Sequence, residues 1–258
     1  MRSLRANGIL AAMLVFGIGA WTARTACPEA ADNKAKAEEA KAHAEAVKRA
    51  LDVFEVEYKA KEEPVRVAAV ERLGQVQDKK VLDRLSRLLQ GPDTDAVKTQ
   101  AVRVVAAYAG DKNAARILSS VLVANKKKPE MQVVVVEAMG DLGDRSLIPV
   151  LIDLYREKSL PVAKAAILAS AKIRDKACVE PLLKMLREFE EQTPAIVTGT
   201  ALVTPAEDER AQRKAELLDP AQRALSDITL QSFSTYKEWD AWWRKNKGTF
   251  KTESDAAK

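Results

Sequence analysis

The sequence predicts an all-α chain in which about four helix pairs stack as a right-handed α-solenoid, with capping helices at both ends. Three observations carry this expectation. Four segments of the 258 residues align with one another, and their starts lie 31 to 34 residues apart. Gly and Pro are sparse at ten each, while Ala, Val and Leu dominate the apolar share, a composition that favours helix over turn-rich sheet. Within each segment the apolar residues recur at i, i+3/i+4 and i+7, the spacing of one helix face.

The chain opens on a stretch of a different kind. Arg2 and Arg5 precede an apolar run from Ile9 to Trp21, and small residues follow. That order is the plan of an export signal, so residues 1–26 are expected to be a signal peptide or N-terminal anchor. The apolar run is shorter than the roughly twenty residues a spanning helix needs, which favours cleavage. Three fates stay open: cleavage, retention as an anchor through residues 1–27, and lipidation at Cys27. An exported, periplasmic or cell-envelope location is the expectation. Loss of Arg2, Arg5 and Arg24 with the leader brings the formal charge from +5 to +2. A nucleic-acid reader needs a basic stripe, so no nucleic-acid partner is expected.

Residues 33–63 start as a charged, Ala-rich helix, and residues 27–44 read as a solvated tether. From Val47 the steps change to Val47, Leu51, Phe54 and Tyr58, an amphipathic face that predicts a capping helix over residues 45–60.

The repeats begin at Val65, Val97, Met131 and Val162, and the repeated region is placed at 45–188 with its cap. Ala69, Ala101, Val135 and Ala166 share one column. Gly74, Ala106, Gly140 and Ala171 share another, where small side chains permit close helix approach. Asp78, Asp111, Asp144 and Asp175 follow, each just before an apolar helical run. An aspartate there accepts bonds from the free N–H groups at the start of the second helix and suits its positive end. A row of metal or acid–base carboxylates is the rival reading; four identical turns explain the row more simply. One helix pair cannot bury its own core, whereas stacked pairs can.

This small-residue column, the Asp after the turn and the Leu-rich stripe beyond it resemble the HEAT-repeat family in its short bacterial form, over about residues 62–188. Pro149 and Pro181, early in the second helices, fit the same pattern. The resemblance implies the fold and leaves the function open, because the family includes scaffolds and enzymes alike.

Residues 189–218 break the period with Pro194, Gly199 and Pro205. They are expected to form a loop holding the β-branched patch AIVTGTALV, then a helix from about Ala206. Asp219-Pro220 is expected to open a further helix. Ser234 or Thr235 with Glu238 predicts a capped last helix. On it Tyr236, Trp239, Trp242 and Trp243 share largely one face, and residues 219–250 read as the C-terminal cap. Residues 251–258 are expected to be an unstructured tail.

No catalytic residue, cofactor or metal site is expected. The only histidine, His43, lies in a polar stretch, and Cys178 falls on an apolar stripe beside Val179 and Leu182. The candidate binding residues are Trp239, Trp242, Trp243 and the loop lysines Lys126, Lys127 and Lys128. The leading expectation is a non-catalytic protein-interaction scaffold of the cell envelope. The alternatives are an accessory of the HEAT-like lyase type and a glycan- or peptidoglycan-binding module using the three tryptophans.

Overall fold

The computed structural model describes residues 28–191 and 205–252. The leader, Cys27, the AIVTGTALV patch and the end of the tail lie outside the described residues.

All regular structure among the described residues is helical. Helix α1 spans Pro28–Glu57. In its part up to Ala44, every residue whose side chain is described is exposed, and the charged, Ala-rich stretch is helical. The remainder of the chain forms a separate compact unit from Glu45 onward.

Within that unit the helices fall into two rows. The first row holds α2 (Glu63–Leu73), α4 (Asp95–Ala106), α6 (Pro129–Leu142), α8 (Leu160–Ile173) and α10 (Pro205–Thr229). Each packs on the next along the row. The second row holds α3 (Lys79–Gln90), α5 (Lys112–Ala124), α7 (Ile148–Leu154), α9 (Val179–Glu191) and α11 (Tyr236–Asn246). Short 3-10 turns at Arg145–Leu147 and Lys176–Cys178 lead into α7 and α9.

Two expectations change. The C-terminal helices are a fifth pair, since α10 packs on α8 and α9, and α11 packs on α9. Asp219-Pro220 does not start a helix: Pro220 is buried inside α10. Its missing N–H leaves one ladder bond unmade, and the packing of Leu217, Ala221, Ala224 and Leu225 in the core holds the helix through that gap.

The turns behave as the aspartate column requires. Asp78, Asp111, Asp144 and Asp175 are all N-caps, and each side chain accepts from the backbone N–H two residues on, at 2.7–2.8 Å. Such a cap is worth about 1 kcal/mol. Proline sits at the first or second position of α2, α6, α7 and α8, where its missing N–H costs nothing. Gly143 ends α6 at φ 72, the left-handed value that glycine adopts without strain. One repeat later the same place is held by Arg174 at φ 54.

Neighbouring repeats are tied at intervals of about one repeat. The Tyr108 hydroxyl lies 3.4 Å from the Val76 carbonyl oxygen and from both backbone polar groups of Asp78. Lys128 pairs with Asp95, Lys172 with Asp141, and Arg145 with Asp175. The first two pairs are exposed and contribute little each, so they fix register more than they stabilise, whereas Asp175 of the third is buried.

The N-terminal end of the unit is closed by residues 45–57 of α1. Val47 and Phe54 are buried there, and Phe54 stacks on Tyr58 at 5.0 Å. The Arg84 guanidinium lies 4.8 Å over the Phe54 ring and bonds Glu55 at 2.6 Å. The Tyr58 hydroxyl donates to Asp93, which Arg66 also reaches at 3.0 Å. Burial pushes the Asp93 carboxyl up, but the bonds from Tyr58, the Thr94 amide and Arg66 together outweigh it and hold it below its usual value. A depressed carboxylate adds stability above its unfolded pKa, near 3.9, and loses that stability as pH falls through the lower folded value. Asp93→Asn is therefore expected to cost stability at pH 7, with the gap to wild type narrowing below about pH 4. Urea unfolding at both pH values checks this; a gap independent of pH would show that the charge plays no part.

Candidate interaction surface

The three candidate tryptophans lie mainly inside the fold. Trp239 is fully buried, its indole N–H donates to the Phe233 carbonyl at 3.1 Å, and the Phe233 ring meets it edge-on at 5.0 Å. Trp243 is 5% exposed and its N–H reaches the Glu180 carboxylate at 3.3 Å. Trp242 is half-buried between Phe233 and Phe250. With Trp239 and Trp243 occupied in this way, no set of three open indoles exists for a sugar ring to stack on. Local sequence explains the placement. Thr235 caps α11 and Glu238 returns the bond to the Thr235 backbone, which fixes where the helix starts and so which face turns inward. The Thr235 hydroxyl and the backbone amides of Thr235 and Ser234 hold the Glu238 carboxyl below its usual value.

The lysine run is divided. Lys128 is tied to Asp95 at 2.8 Å, while Lys126 and Lys127 are exposed on the turn before α6.

Sequence reasoning missed a cleft near the C-terminal end of the rows. It has a volume of about 740 Å³ and lies where α7, α9, α10 and α11 meet. Tyr155, Met185, Phe189 and Trp243 give it an apolar floor. Arg156, Lys176, Lys184, Arg210 and Arg213 line it together with Asp153, Glu180 and Glu188. Arg213, reaching down from α10, donates to the backbone carbonyls of Tyr155 and Glu157, the latter at 2.9 Å. Burial, and then the charge of Arg156, lowers the pKa of its guanidinium. Lys176 binds the carbonyls of Lys247 at 2.6 Å and Phe250 at 3.3 Å, pinning the segment after α11. These residues come from four helices up to ninety positions apart, so no local pattern announces the cleft. The only sequence signal is the pair Arg210 and Arg213, three residues apart on one helix face.

Nothing in this arrangement provides an evident nucleophile. Cys178 is buried, and burial pushes its thiol up to about 11, so it is a protonated packing residue at neutral pH. Among the described residues no group of three or more His, Cys, Asp or Glu could hold a metal ion. No described helix is long and apolar enough to cross a membrane.

A row of paired helices, each buried only against its neighbours, defines an α-helical repeat protein. Two family models then give the particular repeat. One, described as HEAT repeats, matches residues 117–197, and the other, described as PBS lyase HEAT-like repeat, matches residues 65–91. Over these stretches the chain is similar to HEAT repeats. Comparison with curated proteins gives no match. HEAT-repeat families are in general non-catalytic scaffolds and commonly mediate contacts between proteins.

Proposed function

We propose that this chain is a non-catalytic scaffold, exported on residues 1–26, that holds a partner protein in the cell envelope. The cleft at the α7–α9–α10–α11 junction is the observation that carries the reading: it is an open recess on rigid helices, with an apolar floor and polar rim, and without an evident nucleophile or metal cluster among the described residues. Interfaces between proteins commonly pair a desolvated apolar centre with a polar rim. The leader supports export, since its charge order and short apolar run fit a cleaved signal. The glycan reading loses its support with the burial of Trp239 and Trp243.

The experiment is affinity capture from a nuclease-treated envelope extract, with retained proteins and glycans identified by mass spectrometry and the chain itself located by fractionation. One protein retained in near-stoichiometric amount, with the chain in the envelope fraction, is the expected result. Cell-wall polysaccharide retained without protein would overturn the scaffold, and a cytoplasmic chain would overturn export.

A further inference from the structure

The cleft rim is charged in an unbalanced way. It carries five cationic side chains and three carboxylates. Pairing leaves that surplus in place: with Arg156 and Glu188 paired, four cations remain against Asp153 and Glu180. Arg156 bonds Glu188 at 3.0 Å, and it is the only rim cation with a carboxylate partner on the rim. Lys176 and Arg213 are satisfied by backbone carbonyls, which use their donors without cancelling their charge. Lys184 and Arg210 are exposed, and neither forms a hydrogen bond or ion pair among the described residues. On the acidic side Glu180 accepts from the uncharged Trp243 indole. A surplus of positive charge thus surrounds an apolar floor of Met185, Phe189 and Tyr155, in a recess whose volume suits a few inserted side chains.

We propose that the cleft takes an acidic peptide segment of the partner, with its apolar side chains on the floor and its carboxylates received by Lys184 and Arg210. This rests on the scaffold reading and gives the chemistry of what the scaffold holds. Charge complementarity selects the acidic class: a basic segment would meet like charge from Lys184, Arg210 and Arg213 together. The floor selects a peptide over a plain polyanion, which has nothing to place against Met185 and Phe189.

The test uses the full chain and three short labelled peptides followed by fluorescence anisotropy. One alternates Glu with Leu and Phe, one carries Lys in place of every Glu, and one is oligo-glutamate. The first is expected to bind at least about tenfold more tightly than either of the others and to weaken as salt rises. K184E and R210E together should lower its affinity by at least about tenfold, with the helical circular dichroism and melting unchanged, because both side chains are solvated. Equal binding of the Lys peptide, or no loss in the double variant, would overturn the acidic class. Equal binding of oligo-glutamate would overturn the role of the apolar floor. Running partner capture with the double variant separates the two readings. A partner held equally well by wild type and variant keeps the scaffold and overturns the cleft assignment. No retained protein at all overturns the scaffold, and the titrations then judge the cleft alone.

Discussion

Replacing Trp239 with alanine is expected to remove about 3–5 kcal/mol of stability. The indole is fully buried, and a tryptophan covers roughly 150–250 Å² of its neighbours. Truncation would also strand the Phe233 carbonyl and remove the edge-on partner of its ring. The loss should be felt locally first. In a row of repeats each pair is held by the pair before it, so the last pair frays before the rest unfolds. Hydrogen exchange in the variant should therefore show α10 and α11 unprotected while α4 and α6 stay protected. Trp242→Ala is the contrast: its indole is half-buried, and its cost should be well below that of Trp239→Ala. If both variants unfold at the wild-type urea midpoint, α11 does not close the fold.

Gly140→Ala carries the second large expectation, and its sign runs against helix propensity. In an open helix this change would gain about 1 kcal/mol. Here a Cβ on residue 140 would stand 2.8 Å from the Ala169 Cα and 2.9 Å from its Cβ. The obstacle is backbone, so α6 and α8 must move apart, and overpacking of this kind costs about 1–3 kcal/mol. At the equivalent glycine of the first repeat, Gly74, the nearest atoms to an added Cβ belong to the Val104 side chain, at 2.6 Å. A side chain can adjust where a backbone cannot, so Gly74→Ala should be milder. Pairing Gly140→Ala with Ala169→Gly should restore part of the loss, since it removes one of the two clashing atoms. A Gly140→Ala variant as stable as wild type would mean that the two helices do not meet this closely.

The features that could be read from sequence are those set by neighbours a few residues away. The aspartate column is one: Asp78, Asp111, Asp144 and Asp175 cap because the acceptor and the free N–H are two residues apart. The inward face of α11 is another, since Trp239 and Trp243 lie one helical turn apart. The fifth helix pair was harder to read. Residues 189–218 interrupt the period, and Pro220 looks like a helix start until the burial of Leu217 and Ala221 on both sides of it is known. The cleft could not be read at all, because Tyr155, Met185, Arg213 and Trp243 are joined by packing alone.

The stacking of each helix pair only on its neighbours bears on how such a gene can change in length. Duplicating one internal unit of 31 to 34 codons inserts a layer whose two faces match those already present. The ends do not share that freedom. Phe54 and Trp239 are buried in the first and last helices of this unit, so growth at either end would have to rebuild that packing before it could be inherited.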